Sequence, residues 1–320
     1  MMTFAVFTAL MLVGLPISFV LCMTALAYMG LADNTVLLVS LPIQLFNGLD
    51  SYGLIAIPLF ILTGEVMNGG GITKRMIDMA MAFVGSLKGG LAYVNLLANM
   101  FVSSILGSAA AQVALMSQMV VPEMVRSGYD KTFAAGLTAY AGMLGPIIPP
   151  SIMFVIYSVM AQVPVSTMLA AGIIPGLMLS MAFCAIIAVM GYFYNYPRGA
   201  KMAASERVWI VLRALPTLLI PVIIVGSILT GIANPTEAAA LGVVASVLVG
   251  RFVTKDLNLT QLPRMFIKAG VLSAGILFLV AAASVFSWVL IYGMVPQRVA
   301  AWIQSVASDP IMFMLLVNLI

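Results

Sequence analysis

Histidine is absent from the 320 residues, and only 8% of them carry charge. A soluble domain carries roughly 25% charged residues. A chain that is 63% hydrophobic has no soluble interior large enough to hide it. Without histidine the commonest proton relay and metal ligand is missing. A membrane-embedded enzyme needs clustered His, Asp or Glu at depth, and the 10 acidic residues are scattered. The chain therefore does not read as an enzyme, and no cofactor is expected. The two cysteines, Cys22 and Cys184, lie inside apolar runs, so both read as packing residues with no disulfide framework. No phosphate-binding P-loop, dinucleotide glycine fingerprint or nucleophile elbow is present. A primary ATP-driven pump would have to take its ATPase from another subunit. The net charge of +4 would suggest nucleic acid in a soluble protein. Here the bases sit in short connections between apolar runs, where they set topology, so no nucleic-acid partner is expected.

What the chain has in abundance is long apolar runs. Each approaches the ~20 residues needed to cross a bilayer. Lipid admits only helices or closed barrels, and these runs lack strand alternation. The expected fold class is an all-α polytopic membrane protein with room for about eight to ten segments. The first run, 4–28, has no basic leader and no small-residue cleavage site, so it reads as one retained helix. The mixed stretch 35–49, with Pro42, Gln44 and Asn47, reads as interfacial, and 53–67 as the next span. A loop with Lys74, Arg75, Asp78 and Lys88 follows. Stretch 89–121 holds Asn95, Asn99, Ser103, Ser104, Gly107, Ser108 and Gln112, and is too short for two full spans. It fits a re-entrant hairpin. Segment 133–160 is interrupted by Gly145-Pro146-Ile147-Ile148-Pro149-Pro150, and 172–194 is a clean span. Basic loops are expected at 198–213 and 251–268, on either side of a helix pair at 215–230 and 237–250. A span at 271–292, an amphipathic interfacial helix at 295–308 and a short apolar run at 310–320 complete the chain.

Charge orients these segments. If the connections 68–90, 122–131, 198–213 and 251–268 face one side, that side holds every one of the 14 Lys and Arg residues except Arg298. Asp33, Asp50 and Asp309 fall on the other. The positive-inside rule places the basic side in the cytoplasm.

Three elements can carry chemistry. The small-residue stretch Ser103-Ser104-Ile105-Leu106-Gly107-Ser108-Ala109 fits a turn within the membrane that frees carbonyl groups for a cation. It fits equally a close helix contact through small residues. Next, Gly145 to Ser151 places three prolines in five positions. That removes three backbone donors and breaks any helix, so carbonyls such as those of Gly145 and Ile148 lose their donors. An ordinary proline kink at a membrane surface is the plainer reading. Two broken elements close in sequence are also the best pointer to a transporter's ion or substrate site. Finally, Asn234-Pro235-Thr236-Glu237 reads as a helix start, with Asn234 as N-cap and Glu237 closing a capping box. Glu65 reads as interfacial and Asp130 as another N-cap.

In order along nearly the whole chain, the stretches 56–65, 107–111, 145–151, 171–177 and 234–240 resemble the large membrane subunit of TRAP (tripartite ATP-independent periplasmic) transporters. Asn234 stands where the family commonly has Thr, and the hairpin tip is poorer in glycine and threonine than in many members. The resemblance implies an inverted-repeat, elevator-type fold with a re-entrant hairpin and a broken helix in each half. On that frame 1–88 are N-terminal scaffold helices and 89–165 the transport region, with its hairpin at 89–121 and broken helix at 133–160. Residues 166–270 are linking and scaffold helices, and 271–320 begin the second repeat. The rest of that repeat would follow Ile320, so truncation by about 100 residues is expected.

The resemblance further implies sodium-driven uptake of an organic acid across the bacterial inner membrane. A periplasmic binding protein delivers the acid, and a small membrane subunit works alongside. Sodium, the coupling ion, would be held near Ser103, Leu106, Gly107, Gly145, Ile148 and Pro150. Substrate would lie near Ser104, Ser108, Ala109, Pro149 and Ser151. The main alternative is a related sodium-coupled carboxylate transporter that works without a binding protein, distinguished by whether uptake depends on added periplasmic protein. A channel would show polar helix stripes, and few are visible.

Overall fold

The computed structural model describes residues 2–31, 35–194, 196–197, 202–306 and 309–319, with backbone alone at 2, 35–36, 105–106, 304, 306, 310, 316–317 and 319. Asp33, Arg198, Lys201 and Ser308, used above for charge and segment bounds, lie outside the described residues. The described residues form helices and connecting turns, with no β-strand among them. They fall into two compact units, Met1–Ser51 with Ala274–Ile320, and Tyr52–Ser273.

The first unit begins with α1 (Met2–Leu12), α2 (Ile17–Leu31) and α3 (Thr35–Asn47). The single helix expected over 4–28 is in fact two. Gly14 adopts a φ of +81°, a left-handed conformation that ends α1, and Pro16 supplies no amide to carry the ladder across. The two helices pack against each other. Ala25 and Met29 of α2 bury against Leu37 of α3, Val285 and Val289. Phe7 stacks on Phe286 at 5.8 Å, and Phe19 meets Phe278 edge-on at 5.5 Å. With 13 residues and an internal Pro42, α3 is too short to cross a bilayer, in keeping with an interfacial stretch.

The second unit opens with a 3-10 turn at Tyr52–Ile55, then α4 (Ala56–Gly69), α5 (Ile72–Val84), α6 (Gly90–Leu106) and α7 (Ala109–Met119). There follow α8 (Val121–Arg126), α9 (Lys131–Gly142), α10 (Ile152–Ala161), α11 (Val165–Phe193), α12 (Ala204–Leu229) and α13 (Pro235–Leu248). A π-helical turn, Val249–Thr254, closes α13. The 31-residue α14 (Leu262–Tyr292) starts in this unit; α15 (Val295–Val306) and α16 (Pro310–Leu319) end the chain. Among the described residues, five helices are long and apolar enough to cross a membrane: Tyr52–Gly69, Val165–Phe193, Ala204–Leu229, Pro235–Thr254 and Leu259–Tyr292.

Three expected loops are largely helix. Lys74, Arg75 and Asp78 sit on α5, whose Ile72, Met76, Met79 and Ala80 are buried. That spacing is one face of a helix, and the charges lie off it. Arg207 and Arg213 belong to the first turns of α12, with the Arg213 guanidinium 3.5 Å above the Trp209 ring. Arg264 and Lys268 belong to the start of α14, and Arg251 to the π turn. The helix starts are as expected. Asp130 accepts from the Phe133 amide at 2.9 Å, and Asn234 and Glu237 close a reciprocal capping box. Glu65, near the end of α4, pairs with Lys268 at 2.8 Å.

Candidate functional site

Two interruptions of helix meet within the second unit. The α6 helix stops at Leu106, whose side chain lies outside the described residues. Gly107 takes a φ of +56°, which an L side chain adopts only with strain. Ser108 is extended at φ −133°, and α7 starts at Ala109. The other interruption follows α9. From Met143 to Ile148 the chain makes tight turns, with Gly145 N–H donating to Gly142 O and Ile148 N–H to Leu144 O. Pro146, Pro149 and Pro150 have no amide to give, and the Pro149–Pro150 peptide is cis. Ser151 then caps α10: its hydroxyl donates to Pro146 O at 2.6 Å and accepts from Phe154 N–H at 3.3 Å.

Among the described residues no backbone amide donates to the carbonyls of Gly145, Ile148 or Pro150. These are the groups from which proline chemistry and a broken helix are expected to withdraw donors.

Backbone packs on backbone where the breaks touch. A methyl group on Gly107 would stand 3.1 Å from both the Pro150 carbonyl oxygen and the Ile152 amide nitrogen. A methyl on Gly145 would stand 3.3 Å from the carbonyl carbon of Ser108 and 2.7 Å from Gln112 Oε1. The fold thus brings together Gly107, Ser108, Gly145 and Pro150. Ser103 lies a turn before the hairpin tip, fully buried, with its hydroxyl donating to Met100 O at 2.6 Å. Ser104, Ile148 and Pro149 line a cavity of about 430 Å³ whose other walls, including Met100, Phe101 and Ile173, are apolar. Ser151 has a structural role already, since both its contacts serve the α10 start.

Two features lie beside the residues that the sequence places at the site. Gly172 and Gly176 of α11 let that helix lie against the second break. A methyl at Gly172 would meet the Phe154 ring and stand 2.6 Å from Ile147 O; one at Gly176 would be 2.8 Å from Ile148 Cγ1. Their spacing of four residues is the visible signal. The other feature is a buried row of polar side chains, Asn95, Asn99, Gln112 and Thr138, which ties both arms of the hairpin to α9. Asn95 and Asn99 stand i, i+4 on one face of α6, and that periodicity was the available clue.

The arrangement has a definite electrostatic sense. α6 and α9 end at the junction, and α7 and α10 begin there. Helix C-termini present carbonyl oxygens that suit a cation, and N-termini present amides that suit an anion. No group of three or more His, Cys, Asp or Glu side chains lies together among the described residues. The oxygens on offer at the junction are neutral, and so suit a hard monovalent ion.

Residues 4–320 match the family described as Tripartite ATP-independent periplasmic transporter, DctM component. The chain belongs to this family. It is 38% identical over 281 residues to the C4-dicarboxylate TRAP transporter large permease protein DctM of Pseudomonas aeruginosa, covering 88% of this chain and 66% of that one. It is 33% identical over 315 residues to the sialic acid TRAP transporter large permease protein SiaM of Vibrio cholerae, covering 97% and 73%. To the isethionate TRAP transporter permease protein DctMQ of Oleidesulfovibrio alaskensis it is 34% identical over 330 residues, covering 99% and 50%. The chain thus spans between half and three quarters of the length of these three relatives. As a TRAP permease with five membrane-length helices, it is an integral membrane protein of a transport system and not an enzyme.

Proposed function

We propose that this chain is the permease of a sodium-coupled importer of a small organic acid, working in the bacterial inner membrane as an elevator built from inverted repeats. The contact of Gly107 with Pro150 and Ile152 carries this reading, because it sets the turn between α6 and α7 against the start of α10, where the broken helix resumes. Sodium is held by carbonyl and hydroxyl oxygens of Ser103, Leu106, Gly107, Gly145, Ile148 and Pro150. The acid lies beside it near Ser104, Ser108, Ala109, Pro149 and Ser151, where the starts of α7 and α10 favour a carboxylate. An occupied cation site strengthens the field for the neighbouring anion, and that is the coupling. The relatives' names carry a C4-dicarboxylate, sialic acid and isethionate, all acids, which supports an organic-acid substrate. Their common system is tripartite by description. That supports a periplasmic binding protein and a small membrane subunit as partners.

The test is uptake against sodium concentration in proteoliposomes, with the intact native permease, its small membrane subunit and its binding protein. Replacing Pro149 and Pro150 together by Ala lets the helix re-form and withdraws the free carbonyls. Sodium-dependent uptake is expected to fall to background while the protein still inserts and folds. Sodium dependence like that of the wild type would sink the reading. Uptake that proceeds without the binding protein would instead favour a carboxylate transporter that stands alone.

A further inference from the structure

The polar row behind the hairpin has a direction. Thr138 Oγ1 donates to Ala134 O at 2.8 Å, so its oxygen is left to accept from Asn95 Nδ2 at 2.7 Å. Asn99 Nδ2 donates to both Asn95 Oδ1 and Asn95 O, each at 2.8 Å. Gln112 Nε2 donates to Asn99 Oδ1 at 2.8 Å and to Asn99 O at 2.9 Å. Backbone carbonyls only accept. The contacts to Asn95 O and Asn99 O therefore fix which way the Asn99 and Gln112 amides point, since a flipped amide would set oxygen against oxygen. Every amide nitrogen points back toward Thr138, so the last oxygen of the row must point the other way.

That last oxygen is Gln112 Oε1. The residue is fully buried, and among the described residues this atom has no hydrogen-bond partner. It faces Gly145, where even a methyl group would come within 2.7 Å of it. A buried acceptor without a partner costs its full desolvation penalty, and native folds rarely leave one. The amide oxygen is a neutral hard donor of the kind that suits a monovalent cation.

We infer that Gln112 Oε1 is a further ligand of the coupling cation at the Gly145 break, and that Thr138, Asn95 and Asn99 are positioning residues that hold it there. The inference rests on the sodium reading above. It adds one amide oxygen to a set otherwise made of backbone carbonyls and the Ser103 hydroxyl. The row then has two ends with opposite duties: Thr138 anchors it on α9, and Gln112 meets the ion.

The experiment reads sodium binding without transport. The intact native permease is purified, and its unfolding temperature is followed as sodium replaces choline at constant ionic strength. A ligand that binds only the folded state raises that temperature in a concentration-dependent way. Gln112→Met keeps the length and removes the oxygen. It is expected to raise the sodium concentration for half-maximal stabilisation about ten-fold. Any loss of packing shows separately, as a lower temperature in choline. Gly145→Ala crowds the same oxygen from the opposite side, leaving Thr138, Asn95 and Asn99 in place, and is expected to act in the same direction. Because Gly145 is itself placed among the sodium ligands, Thr138→Val is the variant that serves if Gln112→Met does not fold. Thr138→Val loosens only the anchor and should give a smaller rise. If the wild type responds to sodium and Gln112→Met responds at the same concentrations, the Gln112 assignment is overturned while the sodium reading stands. If the wild type shows no response to sodium, both fall together.

Discussion

At Asn234 the side-chain oxygen accepts from the Glu237 amide, and the Glu237 carboxylate accepts from the Asn234 amide, both at 2.9 Å. Two donors that a helix start would leave open are satisfied by residues three apart. Asn234→Ala is expected to cost about 1 kcal/mol, read as a lower unfolding temperature in detergent. No change would mean that water replaces the cap freely. Asp78 offers a second residue-scale test. Burial pushes its carboxyl above the usual range, and Lys74 and Arg75 pull it partly back. The folded state thus favours the protonated acid. Stability from this group is full below the ordinary carboxylate range and is lost as pH rises through the raised folded value. At neutral pH the charged form is the strained one, so Asp78→Asn should unfold at a slightly higher temperature than the wild type. Solvent keeps the gain small. It should vanish on titrating to acid, and a gain that persists below the carboxylate range would point to packing instead.

Among the elements, α11 depends on small residues more than its apolar sequence suggests. It is 29 residues long, so length alone would let it cross a bilayer in many positions. Gly172 and Gly176 select one of them, by admitting Ile147, Ile148 and Phe154 of the neighbouring break. Gly172→Ala drives a methyl into the Phe154 ring and the Ile147 carbonyl. Overpacking of this kind costs about 1–3 kcal/mol. A lower unfolding temperature together with reduced uptake is expected. An unaltered protein would show that α11 slides without penalty. The α5 helix shows the same principle from the other side. Its charges suggest a loop, yet its buried Ile72, Met76, Met79 and Ala80 recur at helical spacing, and burying that face outweighs the polar residues between.

For the whole molecule, the distribution of basic residues makes a topological claim. Lys255 precedes α14 and Asp309 follows α15. Among the described residues between them, only α14, at 31 residues, is long enough to cross; α15, with 12 residues, fits an interfacial helix. With Cys22 and Cys184 replaced by Ser, a cysteine at Lys255 should react only from the cytoplasmic face and one at Asp309 only from the periplasmic face. Labelling of both from one side would overturn the orientation.

Much of the candidate site was legible as local chemistry. The prolines of 145–150 lack amides whatever surrounds them, and Gly107 is the natural place for a left-handed turn. The Asn234 cap is likewise complete within four residues, so composition and spacing suffice to place it. The break at Gly14 and Pro16 had the same local signals, but the apolar run around them read as one span. What only the tertiary structure decided are relations across distance. These are the approach of Gly107 to Pro150, the bed that Gly172 and Gly176 make for the second break, and the row from Thr138 to Gln112. Each joins elements distant along the chain, and helical spacing shows only within one partner, as between Gly172 and Gly176 or Asn95 and Asn99. The row exists because burial in a low-dielectric interior forces polar side chains to find partners; the other two exist because glycine, with no side chain, admits close approach. The local breaks told which oxygens lose their donors; the packing of helices decided which of those oxygens share one place.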